Sequence, residues 1–180
     1  VSDQDGNIRS GRKNFLYNGC GRINQRHGNA GANNTSINTY GPDRWRSFGG
    51  PGDFYWSSIS NSGQGEGNQY CMRFQRPNGT SQVNNMGIAQ GLETIDSKHL
   101  AGKTVTFSFR ARVGANWSPT DFTYQVVGGE GTDQSPLSMT NSNAFINQSP
   151  TLTTSWATYS YSGTVPTDKT QIRVHFAWTP

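Results

Sequence analysis

Charge is scarce in this chain, and so are the residues that build helices. Only 14% of the 180 residues are Asp, Glu, Lys or Arg, and there are five leucines, three glutamates and four lysines. Helical bundles draw on Ala, Leu, Glu and Lys, so an all-helical fold is excluded. Long hydrophobic runs are missing too: no apolar stretch approaches the ~20 residues that cross a bilayer as a helix. Cysteine is limited to Cys20 and Cys71, too few for a four-ligand zinc site. If paired, they would close a loop of about 50 residues worth roughly 3–4 kcal/mol; two reduced, buried thiols are the plainer expectation. The sequence opens Val1-Ser2-Asp3, with neither Met nor a signal peptide, which reads as a processed product or as part of a longer chain.

What is present instead is Gly (22), Asn (17), Ser (19) and Thr (18), together with 9 Phe, 7 Tyr and 5 Trp. A disordered chain of such low hydrophobicity carries high charge and few aromatics; this one has the reverse balance. Its length suits one domain with a real core. The pattern that remains is a loop-rich all-β domain.

The net charge of +4 is unevenly placed. Residues 1–52 hold Arg9, Arg12, Lys13, Arg22, Arg26, Arg44 and Arg46 against Asp3, Asp5 and Asp43, whereas residues 53–180 carry eight groups of each sign. The basic third has no basic helix and no dense Lys/Arg cluster, so a protein interface is expected of it rather than nucleic acid. Arg supplies 11 of the 15 basic residues, and its planar fork suits fixed protein–protein contacts. Residues 1–13 read as an arm, and 14–50 as extended chain and turns with short apolar bursts.

From residue 53 the hydrophobic period becomes two. Val105, Phe107, Phe109, Ala111 and Val113 alternate with Thr104, Thr106, Ser108, Arg110 and Arg112, the clearest half-buried strand in the sequence. Further strands are expected over 53–60, 68–76, 83–93, 121–127, 156–165 and 170–178. In the last, Ile172, Val174, Phe176 and Trp178 share one face, with Arg173 and His175 on the other. Only 94–100 suggests a helical turn. The stretch 128–151 reads as a long loop, functional or holding a short element of its own. Strands punctuated by turn clusters indicate a β-sandwich or jelly roll. The expected division is an extended basic arm with the first strand or strands over 1–50, and a jelly-roll sandwich over 51–180. Trp45, Trp156 and Trp178 are expected to fill its core.

Several segments together resemble a known group. Asn14-Phe15-Leu16-Tyr17-Asn18-Gly19, then Arg22-Ile23-Asn24-Gln25-Arg26, then Pro42-Asp43-Arg44-Trp45 are similar to the opening of tailed-bacteriophage and prophage fibre proteins. Leu100-Ala101-Gly102-Lys103-Thr104-Val105-Thr106-Phe107-Ser108-Phe109 with Ala111-Arg112, and Thr153-Thr154-Ser155-Trp156-Ala157-Thr158-Tyr159 with Thr164-Val165-Pro166, resemble later strands of the same group. The resemblance spans about residues 14–180. It implies a jelly-roll domain like that of carbohydrate-binding modules, carried on virion fibres, spikes or decorations and often trimeric. Cys20 departs from the usual residue after Asn-Gly, and the group's strand after Phe-x-x-Thr-Pro is absent here.

Catalytic patterns are missing. Asp53, Glu66, Glu93, Asp96, Asp121, Glu130, Asp133 and Asp168 are scattered, and a glycosidase needs two carboxylates facing each other at about 5–10 Å. His27, His99 and His175 are isolated, and no nucleophile elbow, zinc motif or phosphate loop occurs. No catalytic residue, metal or cofactor is expected. Sugar binding needs an aromatic face for C–H groups with amide, carboxylate or Arg partners for hydroxyls. Two places offer that mixture: Tyr55 and Trp56, and Asn116 with Trp117 and Asp121. The expected role is a non-enzymatic phage structural protein, assembled in the host cytoplasm and resident in the virion. Arg9, Arg12, Lys13, Arg22 and Arg26 would anchor it to capsid, tail or fibre proteins, so that losing residues 1–40 stops incorporation. The sandwich would face a host-surface glycan. A capsid decoration (cement) protein that binds no sugar, and a carbohydrate-binding module of a secreted bacterial enzyme, are the alternatives.

Overall fold

The computed structural model describes residues 14–26, 32–34, 40–49, 54–60, 70–75, 79, 84–119 and 121–179, with 32–34 and 54–60 described as backbone alone. Ten strands follow in order: β1 (Ala32–Asn34), β2 (Arg46–Phe48), β3 (Phe54–Ser60), β4 (Tyr70–Gln75), β5 (Met86–Gly91), β6 (Thr104–Ala111), β7 (Thr123–Glu130), β8 (Thr140–Gln148), β9 (Ala157–Thr164) and β10 (Gln171–Trp178). Between β5 and β6 lie one helical turn, α1 (Thr94–Ser97), and a 3-10 turn at Lys98–Leu100. All pairings are antiparallel: a five-stranded sheet in the order β2-β5-β10-β7-β8, the pair β6-β9, and the trio β1-β3-β4. The fold is an all-β jelly-roll sandwich, with β6, β9 and β4 facing the five-stranded sheet.

Strict alternation produces this arrangement. On β10, Ile172, Val174 and Trp178 are buried in the core and Phe176 packs against it. On the facing layer, the Phe107 ring centroid lies 5.7 Å from that of Phe176 and 5.6 Å from that of Tyr124, and Phe109 meets Phe176 edge-on at 4.8 Å. Aromatic pairs at these separations add to the area they bury. The other face of the β6–β9 pair carries short hydroxyls that bond across the strands, such as Thr106 with Ser162 at 2.8 Å. Phe74 of β4 reaches the Trp178 ring at 5.8 Å. Trp45 and Trp178 lie in the core as expected. Trp156 does not: it is half-buried at the surface, with the Arg112 guanidinium 5.5 Å from its ring.

The stretch 128–151 holds a complete strand, β8, at the edge of the main sheet. Its sequence, Thr-Asn-Ser-Asn-Ala-Phe-Ile-Asn-Gln, buries only Ile146 fully. Two register shifts against β7 interrupt its alternation, so no period of two is visible in it.

Residues 14–26 are bonded onto the sandwich. The side chain of Gln90, fully buried on β5, accepts a hydrogen bond from the Tyr17 N–H and donates one to the Tyr17 carbonyl, both at 2.8 Å, as a neighbouring strand would. Asn18, with φ near +50°, accepts from the Ile23 N–H and donates to the Ile23 and Asp43 carbonyls. The buried Trp45 indole N–H donates to the Asn18 carbonyl at 3.0 Å. Cys20 and Cys71 are half-buried and are not joined in a disulfide. No helix among the described residues is long and apolar enough to cross a membrane.

Candidate functional site

Where β5 ends and β10 begins, the five-stranded sheet borders a cleft of about 600 Å³, within the usual range for small-molecule sites. Five separate parts of the chain line it. The segment bonded by Asn18 brings Gln25 and Arg26; the turn before β2 brings Tyr40, Asp43 and Arg44; the end of β5 brings Gly91 to Glu93; and the β7–β8 connection brings Asp133, Gln134 and Pro136, with Gln171 of β10 completing the lining.

Each wall is held by bonds that follow from its sequence. The Asp43 N–H donates to the Ile23 carbonyl at 2.9 Å, and the Asp43 carboxylate accepts from the Gln25 N–H at 3.1 Å. Arg44 follows with φ near +74°, a left-handed conformation uncommon for a residue with a Cβ. Its guanidinium reaches Glu93 at 2.9 Å and lies 4.9 Å from the centre of the Tyr17 ring. Strained backbone of this kind collects at functional sites. Asp133 and Thr94 exchange two hydrogen bonds: Asp133 Oδ1 accepts from the Thr94 N–H, and the Asp133 N–H donates to Thr94 Oγ1. The amide of Gln134 donates to Thr140 Oγ1 and accepts from the Thr140 N–H, both at 2.9 Å. Arg46 donates to Ser135 Oγ at 2.6 Å and Arg173 donates to the Pro136 carbonyl, fastening this connection to the outer face of the sheet. Gly91 leaves room for it, since a Cβ there would stand 3.2 Å from Pro136 Cβ. Tyr40 is 37% exposed, with the guanidinium of Arg26 5.2 Å and that of Arg46 5.9 Å from its ring centre.

Gln171 differs from the other lining residues. It is 1% exposed, and its side-chain oxygen has no hydrogen-bond partner among the described residues. Buried carbonyls of this sort are normally satisfied.

The residues singled out from sequence are distributed differently. Arg26 lines the cleft, whereas Arg22 lies 5.7 Å from the ring centre of Tyr70. Trp117 is half-buried at the other end of β10, its ring 6.4 Å from Trp178 and 6.5 Å from Phe122, and Asn116 beside it is exposed. Asp121 accepts from the Thr179 N–H at 2.8 Å. This group stands a full strand length from Gln171, about 23 Å at the usual rise per residue. Tyr55 and Trp56 belong to β3, opposite Gln75 and Phe74 of β4; their side chains, and all of Arg9, Arg12 and Lys13, lie outside the described residues. No group of three or more His, Cys, Asp or Glu among the described residues is placed to hold a metal ion.

No protein-family model and no curated protein matches the chain. Solved structures do. The enzymatically active domain of bacteriophage CBA120 tailspike protein 4 matches with a TM-score of 0.56 and 12% identity, over 92% of this chain and 19% of that one; this chain therefore spans about a fifth of the tailspike structure. A structure titled for CBM4 matches at a TM-score of 0.43 with 14% identity, over 91% of each chain. TmCBM61 in complex with β-1,4-galactotriose matches at 0.46 with 10% identity, over 93% of this chain and 88% of that one. By architecture the chain is similar to a domain within a phage tailspike.

Proposed function

We propose that this chain is a non-enzymatic domain of a tailed-phage virion protein that binds a glycan in the cleft between β5, β10 and the N-terminal segment. The observation that carries the reading is the cleft itself. It has the volume of a sugar site and a polar lining of guanidinium, carboxylate and amide groups. An apolar ligand would leave those groups unpaired; a polyhydroxylated one would pair them. The likeness to a tailspike domain and the fibre-like motifs support the phage setting. Of the five basic residues expected to anchor the chain, Arg26 serves the cleft in this reading and Arg22 packs on Tyr70, which leaves Arg9, Arg12 and Lys13 for contacts with other virion proteins.

A glycan array probed with the wild-type chain, Arg26→Ala, Tyr40→Ala and Trp117→Ala tests the site. Binding by the wild type, weakened roughly tenfold or more by the first two changes and unaffected by the third, is expected; a single lost charge-assisted hydrogen bond is worth that much. Wild-type protein that binds no glycan would overturn the reading.

A further inference from the structure

A second cavity, of about 290 Å³, opens inside the sandwich beside β6 and shares only Leu92 with the cleft. Ile172 and Val174 of β10 form its floor, Leu100, Val105 and Phe107 its apolar sides, and the start of the N-terminal segment borders it. Packed interiors rarely leave voids larger than a water molecule, and an apolar void favours an apolar occupant over water. Thr106 and Ser108 line the same cavity. Their side chains stand on the outer hydroxyl face, where Thr106 bonds Ser162, so it is their main chain that borders it. β6 pairs with β9 along one side, and among the described residues no strand pairs with the other. The Val165 N–H donates to the Lys103 carbonyl at 3.0 Å. By the alternation of antiparallel ladders, 103, 105, 107 and 109 then bond toward β9, and Thr104, Thr106 and Ser108 direct N–H and C=O to the open side. The devices that blunt such an edge are missing: the register with β9 has no bulge, and 104–109 contain no proline and no charge.

We propose that the open edge of β6 and the cavity beside it accept an extended peptide strand of a partner protein, one with apolar side chains at every second position. The main chain of that strand pairs with Thr104, Thr106 and Ser108, and its apolar side chains enter the cavity over Ile172 and Val174. The residues between them face outward beside the Thr and Ser hydroxyls of β6. This is strand addition, in which main-chain hydrogen bonds give affinity and the pocket sets which side chains fit. Edge and cavity together select the occupant. A small apolar molecule would fill the cavity and leave the edge unpaired; a polar strand would pair the edge and leave the cavity empty. The site does not rest on the glycan reading of the cleft.

Amide hydrogen exchange and calorimetric titration of the full chain with synthetic seven-residue peptides test this. In the free chain, the amides of Val105 and Phe107 should exchange slowly and those of Thr106 and Ser108 at least tenfold faster. Three probes are compared: Thr-Val-Thr-Leu-Thr-Val-Thr, the same residues with the three apolar ones contiguous, and the first peptide N-methylated on its third and fifth residues, whose N–H groups would face β6. The first should bind with a micromolar Kd and slow exchange at Thr106 and Ser108 at least tenfold. The other two should bind at least tenfold more weakly. Thr106→Pro, a change that edge strands tolerate, removes an N–H on the open side and no main-chain bond to β9, and should weaken binding by a similar factor. If that variant does not fold, the N-methylated peptide decides on the wild type. Equal binding of the N-methylated peptide would overturn strand pairing, and equal binding of the contiguous one would overturn the part assigned to the cavity. Thr106 and Ser108 amides already as slow as their neighbours in the free chain would also overturn the proposal. The edge would then be covered by this chain itself or, where the slowing follows concentration, by a second copy. Failure of the folded chain to bind the alternating peptide overturns it as well.

Discussion

His175 illustrates how one residue couples the outer face of the main sheet to pH. It lies on β10 between Ala89 of β5 and Gln125 of β7, edge-on to the Phe48 ring at 5.9 Å, with Arg173 two residues along the same face. Burial, reinforced by the Arg173 charge, pushes its pKa down from 6.5 to about 4. In the unfolded chain the imidazole takes up its proton near pH 6.5; in the folded chain it stays neutral until about pH 4. The unfolded state therefore binds more protons across that window, and stability falls as pH drops through it. The full effect is about 3 kcal/mol, present above pH 6.5 and gone below pH 4. Glu130 and Asp168, held below the usual carboxylate range chiefly by hydrogen bonds from Asn141 and Lys169 respectively, lose their contributions at still lower pH. Urea unfolding between pH 7.5 and 4.5 should show the decline, and His175→Gln should flatten it. An unchanged slope in that variant would exclude His175 as its source.

At the scale of elements, legibility in the sequence follows burial on one face. β6 and β10 are readable because each sets a continuous apolar row against polar neighbours, and nearly every inward side chain is an aromatic or a branched aliphatic. β8 is not, because an edge strand with two register shifts and one fully buried residue needs no alternation. The cleft was invisible for another reason. Its residues come from five distant segments brought together by long-range register, so no local spacing encodes it. Asp43 and Arg44 stood out only as part of a motif, and no local pattern in the sequence separates Arg26 from the other arginines. The segment 14–26 illustrates the same point: composition reads it as loose chain, yet the Gln90 side chain docks it as though it were a strand. Removing residues 1–13 should therefore leave the melting temperature within a degree or two. Removing residues 1–40 should lower it by well over 5 °C, because it leaves the buried Gln90 amide and the Trp45 indole N–H without partners, at about 1–3 kcal/mol for each group. Scanning calorimetry of the two truncations checks this; equal melting temperatures would show that the segment contributes no stability.

Across the whole molecule, the uneven charge seen in the sequence separates into two uses. Arg22, Arg26, Arg44 and Arg46 each lie over a tyrosine ring, so these four basic residues of the N-terminal third are placed within the sandwich and around its cleft. Residues 1–13, with Arg9, Arg12 and Lys13 against Asp3 and Asp5, add one net positive charge. The cleft lies at one end of β10 and the group of Asn116, Trp117 and Asp121 at the other. Backbone amide NMR of the isotopically labelled chain, titrated with the tightest oligosaccharide from the array, tests this layout most directly. Shifts should cluster at Gln25, Arg26, Asp43, Gly91, Glu93 and Gln171. Shifts centred on Asn116, Trp117 and Asp121 at the opposite end of β10 would contradict it.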